Sequence, residues 1–162
     1  MTETTSERLE LRRELSIAAR PETVWGFLVE PDKQKRWMGG AVELDPRPGG
    51  VVRIEVVSGN IVRGEVVEAD PPRRLVYTWG WEQGGDEAEV VPPGSSTVVY
   101  ELVPQGEGTL LRFVHRDLPT VESVERHGHG WDHYLPRLEV AAGGADPGRD
   151  PWLEATSPDA TS

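Results

Sequence analysis

The chain has 162 residues, 36% hydrophobic and 28% charged, a balance that suits one globular domain with its own core. It contains no cysteine, which excludes disulfides, thiolate zinc sites and thiol nucleophiles. With 28 acidic against 17 basic side chains the net charge is −11, a sign that disfavours phosphate backbones and anionic membranes.

Residues 1–7 are polar and read as a disordered leader, with no apolar stretch of signal-peptide length. No run approaches the ~18 apolar residues of a membrane span, so a cytoplasmic location is expected. Leu9, Leu11, Arg13, Leu15 and Ile17 recur at period two and predict a first strand. Pro21 suits the first turn of a helix that carries Val24, Trp25, Phe27 and Leu28 and stops before Pro31. A second short helix is expected over 32–38, with Trp37 and Met38 at its end before Gly39 and Gly40. Its Lys33, Lys35 and Arg36 form the one dense basic stretch and read as a solvated face.

Strands then follow at 41–44, 51–57 and 61–68, the last two joined by a hairpin turn at Ser58, Gly59 and Asn60. The strand predicted over 73–81 places Leu75, Tyr77, Trp79 and Trp81 on one face. Residues 82–94 are acidic and rich in Gly and Pro, which predicts a mobile loop. A last hairpin, 95–103 with 109–116, puts Thr109, Leu111, Phe113 and His115 on a shared face. Val121, Val124, Gly128, Trp131, Leu135, Leu138 and Ala142 keep a 3–4 spacing and predict a long helix lying on a core, kinked at Pro136. Residues 144–162 form a Pro-rich tail able to tuck Trp152 against the body.

Sequential hairpins make the sheet antiparallel and leave the helices on one face. The fold class is therefore α+β: a curved sheet of about six to seven strands around a long C-terminal helix, with two short helices after the first strand. Residues 8–143 are expected to form one domain.

The segments ARPETVWGFLVEPDKQKRWM, RPGGVVRIEV, GEVVEADPPRRLVYTW, GTLLRFVHRDL and HGHGWDHYLPRL occur in an order that resembles the helix-grip (SRPBCC) superfamily. That superfamily includes START lipid-transfer domains, birch-pollen-allergen-like proteins and polyketide cyclases. Within it the chain is similar to the branch of heat-shock-protein ATPase activator homologue-like proteins. The resemblance implies a cavity between sheet and helix that receives apolar molecules, and it carries over no catalytic set. Chaperone activators pair this fold with a separate N-terminal domain for which 162 residues leave no room, so chaperone activation is the less expected role.

Such pockets have apolar walls and a few orienting polar groups. The candidate lining is Leu75, Tyr77, Trp79, Trp81, Leu111, Phe113 and His115 on strands, and His127, Trp131, Tyr134 and Leu135 on the helix. Trp37 and Met38 are candidates for the rim, and Trp81 for the cavity mouth. Ordinary core packing is the alternative at each position. His115 should point inward, either satisfied within the core or donating to a ligand. His127, His129 and His133 cannot converge on one ion along a continuous helix, so no metal is expected, and no cofactor. GxGxxG, P-loop, GxSxG and HExxH patterns are missing, and Glu65, Glu68, Glu101 and Glu139 read as surface charges.

The function this predicts is binding of a small apolar, lipid-, polyketide- or aromatic-like molecule, as carrier or sensor. One alternative is a cyclase- or aromatase-like enzyme in which His115 or Tyr134 assists proton transfer. Another is a protein-interaction module using the acidic loop 82–94. A homodimer is compatible with the sequence, which names no protein partner.

Overall fold

The computed structural model describes residues 9–57, 60–83 and 91–151. The leader, the turn at Ser58 and Gly59, the middle of the acidic loop (84–90) and Trp152 lie outside the described residues. Among the described residues the chain forms eight strands and three helices. They are β1 (Leu9–Ile17), α1 (Pro21–Val29), α2 (Pro31–Gln34), β2 (Val42–Leu44), β3 (Val51–Val57), β4 (Asn60–Asp70), β5 (Arg74–Trp79), β6 (Trp81–Gln83), β7 (Ser96–Gln105), β8 (Gly108–Leu118) and α3 (Val121–Ala142).

The strands make one antiparallel sheet in the order β1-β8-β7-β5-β4-β3-β2, and β6 pairs with β4. This is the antiparallel α+β arrangement that the pattern of hairpins predicts, and the helix-grip architecture that the resemblance implies. Inward residues line up across it: Tyr77 opposite Val98, Val98 opposite His115, and His115 opposite Leu11. Because side chains alternate along a strand, this register sets one row of apolar and aromatic groups toward α3. The core they form with α1 and α3 includes Leu75, Tyr77, Trp79, Leu111, Phe113, Trp131 and Leu135.

Helix α3 begins at Thr120, whose side-chain oxygen accepts from the Ser123 amide at 3.0 Å. It runs through Pro136 to Ala142 as one helix. At Gly128 it crosses close to β1: a Cβ there would lie 3.0 Å from Arg13 Nη2 and 3.9 Å from Leu11 Cδ2. Arg13 passes over this glycine to bind Asp132, with Nε 2.7 Å and Nη2 3.2 Å from the carboxylate oxygens.

Three expectations change. Helix α2 stops at Gln34, because Arg36 and Trp37 bond back three residues to Lys33 and Gln34 and tighten the chain into a turn. The strand expected over 73–81 breaks at Gly80, where a Cβ would collide with the Pro92 carbonyl oxygen. Trp81 restarts as β6, and its amide donates to Val91 at 2.8 Å. The span 82–94 is accordingly strand at its start, where Glu82 lies in β6, and irregular from 91 to 94, although Val91 is buried in the core.

The beginning of the tail folds back on the helix. Arg137 donates to the carbonyls of Trp37, Pro147 and Gly148 at 3.1, 3.2 and 2.8 Å. His133 Nε2 meets Asp150 Oδ1 at 2.8 Å.

Candidate functional site

Where α3 passes over β5, β7 and β8, aromatic and imidazole rings from five elements meet. Trp79 from β5 lies 5.0 Å from Trp131, 5.4 Å from His115 and 5.9 Å from Trp81, centroid to centroid. Phe113 packs tilted against Trp131 at 4.4 Å, and Tyr100 edge-on against Phe113 at 5.3 Å. The two histidine rings, from β8 and α3, are 4.8 Å apart. Tilted and edge-on pairs at these separations add to plain burial, by about 0.5–1.5 kcal/mol each.

Two hydrogen-bond chains thread the cluster. Trp131 Nε1–H donates to His115 Nδ1 at 3.1 Å, and His115 Nε2 meets Ser96 Oγ at 2.8 Å. Ser96 gives its own hydroxyl proton to the Trp79 carbonyl at 2.8 Å. An indole nitrogen only donates, so Nδ1 must be the acceptor, and His115 carries its proton on Nε2. In the second chain Trp81 Nε1–H donates to His127 Nε2 at 3.2 Å, and His127 Nδ1 meets the Ser123 carbonyl at 2.8 Å. The same logic puts the His127 proton on Nδ1. Both imidazoles are thus neutral in this arrangement and hold an indole N–H each. Burial, and then the neighbouring His127, push the pKa of His115 well below its ordinary 6.5.

One polar atom in the cluster has no partner. Trp79 is 3% exposed, and its Nε1 is buried without an acceptor. A buried donor left unpaired costs about 1–3 kcal/mol. A second such group is Gln34, 1% exposed, whose amide nitrogen and oxygen are both unpartnered.

The structure brings Leu75, Tyr77, Trp79, Leu111, Phe113, His115, His127, Trp131, Tyr134 and Leu135 into the interior, with Trp81 half-buried at its border. Trp37 and Met38 are not at a solvent-facing rim: they are 0% and 1% exposed, and the Trp37 indole donates to the Phe27 carbonyl at 2.8 Å. The turn after α2 presses both against the core, next to the helix it follows. Tyr134 also has its hydroxyl engaged, at 3.2 Å from the Val56 carbonyl and beside Asp150, and burial raises its pKa. The Tyr77 and Tyr100 hydroxyls bond each other at 3.1 Å, and burial raises both pKa values.

His127, His129 and His133 diverge into the cluster, the exposed surface and the Asp150 contact. Among the described residues no group of three or more His, Cys, Asp or Glu side chains is placed to hold a metal. Sequence reasoning missed Ser96, Tyr100 and Gln34. Ser96 and Tyr100 share the inward face of β7, a signal visible in the alternation of that strand; Gln34 follows charged residues in a short helix and gives none.

Residues 18–143 match the family described as Activator of Hsp90 ATPase homolog 1-like protein. The chain belongs to this family. A solved activator-homologue-like protein from Rhizobium etli is 42% identical and superposes with a TM-score of 0.71, covering 90% of this chain and 89% of that one. CalU16 from Micromonospora echinospora is 26% identical with a TM-score of 0.63, over 85% and 76% of the two chains. DynU16, from the dynemicin biosynthetic locus, shares the fold at 23% identity and a TM-score of 0.72, over 88% of this chain and 50% of that one. No curated protein matches the chain. Family membership and the helix-grip fold make this an activator-homologue-like module of the SRPBCC superfamily, and no helix among its described residues is long and apolar enough to cross a membrane.

Proposed function

We propose that residues 8–143 bind a small apolar molecule between the inner face of the sheet and α3, as a carrier or sensor. The observation that supports this reading is the ring cluster itself. Its walls are indole, phenyl and imidazole faces contributed from both layers, and half-buried Trp81 stands at its border. These rings touch, so a ligand enters by parting them, with Trp81 and His127 moving away from Trp79 as one hydrogen-bonded pair that only ring contacts hold to it.

Binding is favoured over turnover because the two candidate acid–base groups are already committed. Both His115 nitrogens are bonded within the cluster, and the Tyr134 hydroxyl is bonded to Val56. The test is a screen of lipids, polyketides and aromatic compounds read by tryptophan fluorescence and thermal unfolding. A true ligand at a hundredfold excess over its Kd should raise Tm by about 5–10 °C and change the emission of Trp79, Trp81 and Trp131. A broad panel that moves neither signal defeats the proposal.

A further inference from the structure

Trp79, Trp81 and Trp131 bring three indole N–H donors into the cluster, and the two histidine lone pairs serve Trp131 and Trp81. Trp79 Nε1 is left over. The polar atoms that reach the cluster are engaged elsewhere: Ser96 Oγ with the Trp79 carbonyl and His115, and His127 Nδ1 with the Ser123 carbonyl. Ring faces are only weak acceptors. A buried water needs two to four polar partners, and an environment of ring edges supplies few. The acceptor that suits this donor is an oxygen carried on an apolar body, because the body replaces the ring contacts and the oxygen takes the proton.

Resting on the binding reading above, we infer that the Trp79 indole selects ligands bearing a carbonyl-type acceptor over hydrocarbons of the same shape. Trp79 is then a specificity-determining residue, and His115 and His127 are positioning residues. By occupying the other two indole donors they leave Trp79 as the one that meets the ligand. The opposite preference is the default for an apolar pocket, since a ketone loses more hydration than a hydrocarbon on burial. A preference for the ketone is therefore diagnostic.

The full chain is titrated with two matched pairs, fluorene against 9-fluorenone and diphenylmethane against benzophenone, by calorimetry and by the indole N–H signals in ¹H–¹⁵N NMR. The ketone of at least one pair should bind roughly tenfold more tightly than its hydrocarbon. It should also move the Trp79 Nε1–H resonance downfield, while the hydrocarbon does not. In Trp79→Phe the ratio should fall to about one or below. If that variant does not fold, the resonance shift in the unaltered chain decides. Equal or reversed preference with an unmoved Trp79 signal overturns the selectivity and leaves apolar binding standing. Failure of all four compounds to bind, while other apolar compounds do, also overturns it. Failure of every apolar compound removes the binding reading and this inference together.

Discussion

His115 has a proton on one ring nitrogen and a lone pair on the other, and each has a single partner within the fold. Protonation would turn the acceptor at Nδ1 into a donor facing the Trp131 indole, on a side chain that is 0% exposed. The depressed pKa fixes the sign of the pH dependence. Below about 6.5 the unfolded chain takes up a proton that the native chain refuses, so the stability due to His115 is complete above that pH. It is lost as pH falls toward the native pKa, by at most about 1.4 kcal/mol per pH unit. Urea unfolding at pH 8 and pH 5.5 should show this loss, and His115→Phe should diminish it. At pH 8 the same variant should cost about 1–3 kcal/mol, because the Trp131 N–H is left unpaired. An unchanged slope in His115→Phe would assign the acid sensitivity to other groups.

Helix α3 carries most of its own instructions. Thr120 caps it, Glu122 sits in its first turn, and its apolar stripe faces the sheet. Pro136 works most strongly against it, since proline supplies no amide to the Asp132 carbonyl one turn back. The residue is exposed, so alanine there restores that bond without touching the core. Pro136→Ala should stabilise the protein by about 1–3 kcal/mol, seen as a higher Tm. A lower Tm would mean that the path of the helix past proline is needed to seat Trp131 and Tyr134. Gly128 is the counterpart on the buried side, where the absence of Cβ admits Arg13 to Asp132 and brings β1 against the helix.

Across the whole molecule, Arg137 ties three separate pieces of chain together. It joins α3, the turn after α2 and the segment that follows the helix, through carbonyls of Trp37, Pro147 and Gly148. Its replacement by methionine keeps the packing of the stem and removes every donor. In Arg137→Met, amide hydrogen exchange across 146–150 should rise while the sheet remains protected. Unaltered exchange there would show that the contacts of Asp150 with His133 and Tyr134 suffice to fasten the segment.

The order of elements, the antiparallel sheet and the burial of the α3 stripe from Gly128 to Ala142 were all written in local patterns, whereas Val121, placed on that stripe by spacing, is 61% exposed at the start of the helix, before it reaches the core. Period two in β1 and β8, and the 3–4 spacing from Val121 to Ala142, are properties of a few neighbouring residues and survive without knowledge of the rest. The inward direction of His115 was legible for the same reason. Tertiary structure alone decided what met it. That Ser96, Trp131 and His115 form one chain, that Trp81 reaches His127, and that Trp79 keeps an unspent proton depend on registers between strands distant in sequence. The break at Gly80 depends likewise on the approach of Pro92. Hydrogen-bond partners across a core are fixed by geometry at the scale of ångströms, and composition and spacing do not encode it residue by residue.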